Sequence, residues 1–169
     1  MSRNTSAATS RYEALLQLLR TADVIWNASR LFFQAWDLSP SQFNVLNLLH
    51  LNTRGLSQTE LGRLIITHRS NVTGLVDRLE KRGLVRRAEA AADRRAYRVV
   101  LTKAGASLLK QILPHYYATA DRAWNGVSGG GISELLAALD HVAHNAADIA
   151  VKPTPVSPEG GKQKHRGSR

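Results

Sequence analysis

No cysteine occurs among the 169 residues. Disulfides, thiol catalysis and cysteine-ligated zinc are thereby excluded, and the composition fits a reducing compartment. No apolar run approaches the roughly 20 residues that span a bilayer, and the start of the chain lacks the apolar core of a signal peptide. A soluble, cytoplasmic protein with no membrane partner is expected. The signatures of catalysis are missing too. No glycine-rich loop ends in Lys-Ser/Thr, and Gly126 to Gly131 (GVSGGG) falls between helical stretches and reads as a hinge-like linker. There is no His-Glu-x-x-His, no paired carboxylates and no Ser/His/Asp set. His141 and His144 share a helix face and could ligate a metal with His115, but surface histidines are more often plain polar residues. Neither an enzyme nor a metal or other cofactor is expected.

Acidic residues are the scarce charge, 13 against 23 basic ones, for a net charge of +10. Where the excess lies matters more than its size. Residues 57–103 hold eleven Lys/Arg and five Asp/Glu, and the last 19 residues hold five and one. Residues 104–150 are slightly acidic, with two and four. An excess confined to one internal stretch and one end is an electrostatic footprint for nucleic acid.

That internal stretch reads as helix, turn, helix and hairpin. Ser57-Gln58-Thr59-Glu60 is a capping box, in which the Ser57 hydroxyl and the Glu60 carboxylate each take the other's backbone amide. Leu61, Leu64 and Ile65 follow as an apolar stripe. Thr67 can cap a second helix with Val72, Leu75, Val76 and Leu79 on one side. At about 100° per residue, Ser70, Asn71, Gly74, Asp77, Arg78 and Lys81 fall on the other. A mid-helix Gly costs about 1 kcal/mol against Ala. Gly74 therefore suits a helix whose backbone lies close against another surface, though a solvated polar face carries the same residues. Gly83 closes the helix. Leu84 to Arg87 and Tyr97 to Leu101 are β-prone runs flanking a polar tip that ends in Asp93-Arg94-Arg95. Such a tip can reach a narrow minor groove, with Asp93 bracing Arg95; a solvated loop is the bland alternative.

These residues carry a family resemblance. LSQTELGRL, SNVTGLVDRLEKRGLVRR and ADRRAYRVVLTKAG together resemble the winged helix-turn-helix of the MarR family of transcriptional regulators. The likeness is close over about 50 residues and looser over roughly 11–150. The most specific parts are LVDRLEKRGLV, the Asp-x-Arg of Asp93 and Arg95, and the Leu-Thr-x-x-Gly of Leu101, Thr102 and Gly105. The resemblance implies a homodimer on pseudo-palindromic double-stranded DNA, with the second helix in the major groove and Arg95 probing the minor groove. The candidate DNA-contacting set is Ser57 and Gln58 on the first helix, then Thr67, His68, Arg69, Ser70, Asn71 and Thr73. Gly74, Asp77, Arg78 and Lys81 continue it along the second helix, and Arg87, Asp93, Arg94 and Arg95 complete it on the wing. It also implies release by a small ligand or an oxidant. Sensing through a reactive cysteine, as some relatives do, is excluded here.

The flanks set the architecture. Residues 1–9 read as a flexible start, and Ser10-Arg11-Tyr12-Glu13 as a capping box for a first helix of about 25 residues. That helix carries Trp26, Phe32, Phe33 and Trp36, more apolar surface than a small winged helix can cover, so a partner chain is expected against it. Ser39-Pro40 opens the next helix, with Pro at the first helical position and Phe43, Val45, Leu46, Leu48 and Leu49 as core. Arg54-Gly55-Leu56 can pair with the wing. Thr102 caps a helix from Lys103 to about Asn125 that Pro114 should kink. A last helix runs from Ile132 to about Val151. The fold class is mostly α, an α+β winged helix-turn-helix with about six helices and a short hairpin. The expected parts are a DNA-binding part at 38–102, dimerisation helices at 10–37 and 103–150, and a disordered basic tail at 151–169.

In this family ligands sit between the dimerisation helices and the winged helix. Trp26, Arg30 and His50 offer an aromatic wall, a cation and a titratable ring there, suited to an aromatic carboxylate. Dimer packing of Trp26 and an interface ion pair for Arg30 are the alternative. The expected function is a dimeric, sequence-specific DNA-binding regulator, a repressor released by such an effector. A winged-helix protein-interaction module and a non-specific nucleoid-type DNA binder are the alternatives.

Overall fold

Where the chain bends is set by a few caps. The computed structural model describes the backbone of residues 3–66, 72–90 and 93–151, and the side chains of 10–66, 72–89 and 97–149. Its elements are α1 (Arg3–Gln34), α2 (Pro40–Leu51), α3 (Gln58–Leu64), α4 (Val72–Lys81), β1 (Val85–Ala90), β2 (Asp93–Leu101), α5 (Lys103–Ala123) and α6 (Gly129–Val151). This is the mostly helical winged arrangement expected. The chain divides into two compact units, Met1–Ala118 and Thr119–Arg169. The division falls inside α5 rather than at its start.

Ser39 and Ser57 each form the capping box their sequences call for, with Gln42 and Glu60 as reciprocal partners. Ser10 does not. The backbone is already helical from Arg3 and continues through Ser10. A capping box is a local option, and Ala7-Ala8 ahead of it, with no Gly or Pro nearby, favour helix instead. The Gly-rich break is also shorter than expected. Ser128 accepts the Gly131 amide at 3.1 Å, so Gly129 to Gly131 form the first turn of α6 and only the residues between Ala123 and Gly129 leave the helical path.

In the first unit the core gathers Phe33, Phe43, Val45, Leu46 and Leu49 with Leu61, Val76 and Leu79, and with Leu109 and Ile112 of α5. Phe33 stacks on Phe43 at 4.3 Å between ring centroids, and Tyr116 lies 4.8 Å from Phe43, so α1, α2 and α5 meet over rings. Leu64, expected in the apolar stripe of α3, is 51% exposed. α3 ends there, and Ile65 turns into the core in its place.

The strands pair antiparallel from Val85↔Leu101 to Glu89↔Tyr97, then slip to Ala90↔Asp93. That slip is a bulge on β2, and it places Asp93 to Arg95 within the strand rather than in a nine-residue loop. Leu56 bridges Val99 on the far edge, as the turn at Arg54–Leu56 suggested. Thr102 both caps α5, accepting the Gly105 amide at 3.0 Å, and donates to the Gly83 carbonyl at 2.7 Å. A side chain at Gly105 would stand 2.1 Å from the Leu84 carbonyl oxygen. The Leu-Thr-x-x-Gly motif thus locks the start of α5 onto the strand that leaves α4.

The second unit is simpler. None of the described side chains of α6 is buried, and Leu135, Leu136, Val142 and Ile149 are exposed. Among the described residues no helix is long and apolar enough to cross a membrane.

Candidate nucleic-acid interface and adjoining groove

Helix α4 has two sides. Val72, Leu75, Val76 and Leu79 are buried, while Thr73, Arg78 and Lys81 are exposed. α3 stands across from it, and the two are joined by the Thr73 hydroxyl donating to Gln58 Oε1 at 3.2 Å. Between them Gln58, Thr59, Gly62, Arg63, Val72 and Thr73 line a shallow groove of about 320 Å³. Thr67, His68, Arg69, Ser70 and Asn71 lie outside the described residues, as does the cap expected at Thr67 and the tail beyond Val151. Asp93, Arg94 and Arg95 are placed by their backbone in β2, while their side chains, and with them the expected brace, lie outside the description.

Asp77 and Arg87, both in the expected DNA-contacting set, are paired with each other within the chain. Arg87 Nη2 donates to Asp77 Oδ1 at 2.5 Å, Nη1 pairs with Glu80, and the Arg87 amide donates to Glu80 Oε1 at 2.9 Å. The Asp77 hydrogen bond, opposed by partial burial and helped by the charge of Glu80, raises the Arg87 pKa above its ordinary value. β1 is thereby bound to α4, and Asp77 and Arg87 orient the wing. The alternation of β1 carries that signal: Arg87 lies two residues from buried Val85 and so on its side, while Arg86 between them is exposed. Arg86 is thus the arginine of β1 that faces solvent.

Arg98 was missed as well. Its Nε and Nη2 donate to the Gly55 carbonyl at 3.1 and 2.8 Å, and Nη2 reaches Glu60 Oε2 at 3.1 Å. Glu60 is held below the usual carboxylate range, first by the Ser57 backbone amide, then by the Ser57 hydroxyl and by the charge of Arg98. Ser57 and Glu60 thus fix the start of α3 and tie it to β2.

A second groove, of about 530 Å³, runs along the C-terminal half of α1 and the turn into α2. Trp26 and Arg30 line it together with Gln34, Asp37 and Gln42. His50 does not join them. It is exposed in the last turn of α2, away from the groove lining. Among the described residues no group of three or more His, Cys, Asp or Glu is placed to hold a metal ion.

A short helix, a turn, a second helix with one packed and one exposed cationic side, and a hairpin fastened to it define a winged helix-turn-helix. Known proteins agree with that class. The family model described as MarR family matches residues 36–96. A transcriptional regulator of the MarR family from Silicibacter pomeroyi is 30% identical, with a TM-score of 0.64 over 76% of this chain and 86% of that one. The chain belongs to the MarR family. The HTH-type transcriptional regulator PapX of Escherichia coli is 31% identical over 104 residues, 60% of this chain, and the match spans 63% of the length of PapX. The same fold appears in CouR from Rhodococcus jostii RHA1 bound to p-coumaroyl-CoA, at 23% identity and a TM-score of 0.65 over 83% of this chain and 93% of CouR.

Proposed function

We propose that the protein is a dimeric, sequence-specific DNA-binding transcriptional regulator of the cytoplasm, a repressor released by a small ligand of the aromatic carboxylate class. The observation that carries the DNA-binding part is α4, with its four buried aliphatics on one side and exposed Thr73, Arg78 and Lys81 on the other. A helix so held presents cations and hydrogen-bonding groups to base edges and phosphates. Arg95 on the wing reaches the adjoining minor groove. Two copies, joined through α1, α5 and α6, address half-sites about 34 Å apart.

The effector reading rests on the groove beside Arg30 and Trp26. A guanidinium next to an indole suits an aromatic ring bearing a carboxylate. CouR, which shares this fold, is bound to p-coumaroyl-CoA, which carries an aromatic acyl group, so an aromatic effector is compatible with the architecture. Ligand binding favours dimer geometries whose recognition helices no longer match the two half-sites, a population shift.

The test is a titration against the DNA flanking its own gene, with random competitor DNA, at two salt concentrations. A discrete protected palindrome bound by two chains at a Kd of order 10⁻⁸ M supports the reading. Equal affinity for all sequences moves the function to general DNA binding, and no binding moves it to a protein-interaction module. Arg95→Ala is expected to weaken operator binding about tenfold or more without altering the oligomer.

A further inference from the structure

Two helices of the first unit end in the same way, and one side chain joins the two ends. At the end of α4 the Gly83 amide donates to the Glu80 carbonyl at 2.9 Å and the Leu84 amide to the Leu79 carbonyl at 3.0 Å. Gly83 is left-handed at φ 68°. This is a Schellman motif, and it fixes Arg82 as the C-cap. At the end of α1 the Asp37 amide donates to the Gln34 carbonyl at 3.0 Å and the Leu38 amide to the Phe33 carbonyl at 3.2 Å. Here the left-handed position is filled by Asp37, φ 52°, the one non-glycine residue with positive φ among those described. The Arg82 guanidinium spans the gap. Nη1 donates to the Asp37 carbonyl, Nη2 to the Trp36 carbonyl at 3.2 Å, and the Asp37 carboxylate lies 3.7 Å from Nη1. The other side of the same turn, Asp37 and Leu38, lines the groove that holds Trp26 and Arg30.

We infer that Arg82 is a positioning residue that transmits occupancy of this groove to α4. The inference rests on reading the groove as the effector site and α4 as the DNA-contacting helix. A residue other than glycine in the left-handed region is sustained by its surroundings, and here two charge-assisted bonds from Arg82 add to the backbone bonds of the turn itself. The carboxylate adds little, because it is 94% exposed. A body seated against Asp37 and Leu38 bears on the turn. When Asp37 leaves the left-handed region, the two carbonyls swing away from the guanidinium and α4 loses its anchor at that end. Because Arg87 binds the hairpin to Asp77 and Glu80, α4 and the wing shift as one piece.

The chain has no cysteine, so one introduced thiol can fill the groove at will. Gln34 lines the groove and is exposed. Full-length Gln34→Cys would be modified with benzyl methanethiosulfonate, and its affinity for the flanking DNA measured before and after. The same pair of measurements would be made with Arg82→Ala, Arg82→Lys or Asp37→Gly added, and each comparison stays within one background. With Arg82 present, modification is expected to weaken DNA binding about tenfold. With Arg82→Ala the loss should fall below about twofold, and with Arg82→Lys it should be intermediate. Asp37→Gly, which holds the turn without help, should also suppress it, and it decides the matter if Arg82→Ala does not fold. Equal loss in every background, or no loss in any, overturns the coupling while DNA binding itself stands. Unmodified Gln34→Cys that binds no DNA at all overturns the underlying reading, and the coupling with it.

Discussion

Helices α4 and α6 are both amphipathic in sequence, and they end in opposite situations. α4 has ten residues and buries Val72, Leu75, Val76 and Leu79. α6 has 23 residues and buries none of its described side chains. Apolar spacing reports that a helix has a face to cover, and it does not report which molecule covers it. For α4 the cover is this chain, through α2, α3 and β1. For α6 the exposed Leu135, Leu136, Val142 and Ile149 give the helix the character of a surface that meets another, consistent with the dimer proposed above.

The difference can be broken at its packed end. Leu79 is fully buried, so Leu79→Ala leaves a cavity and should lower stability by about 2–5 kcal/mol in urea unfolding. The uncovered end responds through association. Leu136 is 59% exposed in the single chain, and Leu136→Glu would place a charge in the proposed subunit interface. The dimer dissociation constant is expected to rise about 10- to 100-fold by sedimentation. An unchanged constant would mean that this face is not the subunit contact, and the difference between the helices would then need another cause.

Arg87→Ala comes next in size. The guanidinium is 29% exposed and its partners 48% and 35%. Solvent screening therefore keeps the expected loss to about 1 kcal/mol or less. The larger consequence is orientation, since the wing is no longer fastened to α4. Operator affinity should fall by a factor of a few while the dimer constant stays put. A purely structural effect would instead lower the midpoint of unfolding and leave the ratio of operator to random-DNA affinity unchanged.

Much of this architecture was legible because local chemistry decides it. Ser39-Pro40-Ser41-Gln42 and Ser57 to Glu60 are helix starts that need no tertiary partner, and Gly83 and Thr102 are stops and starts of the same kind. Ser10 was misleading because an identical pattern can be overridden when good helix formers precede it. What stayed hidden depends on contacts between distant residues. The Arg82 bond to Asp37 joins positions 45 apart and the Arg98 bond to Gly55 positions 43 apart. Arg87 joins the expected DNA-contacting set on the wing, and strand alternation from Val85 turns it toward α4. Family pattern groups His50 with Trp26 and Arg30, but the end of α2 carries it outside the groove lining. The left-handed Asp37 could have been suspected from its place just before Leu38 and the Ser39-Pro40 start, since Asp tolerates that conformation better than most residues.

The smallest effect separates an ion pair built into the winged helix from one on the open surface of α6. Glu60 accepts the Ser57 amide and faces Arg98, and its pKa is lowered from the ordinary 4.5. A carboxyl whose folded pKa is depressed adds stability that is fully present above its unfolded value. That stability is lost as the pH falls through the folded value. Glu60→Gln keeps an acceptor for the Ser57 amide but removes the charge. The gap between the parent and Glu60→Gln unfolding curves should therefore be constant from neutral pH down to about 4.5 and close below it. His144 and Asp148 on α6 stand 3.8 Å apart but are 79% and 76% exposed, so Asp148→Asn should leave the unfolding midpoint at neutral pH unmoved. A Glu60 gap that did not close in acid would show that the charge of Glu60 adds nothing to this link, which would then rest on the Arg98 bonds to Gly55 and the Leu56–Val99 backbone pair.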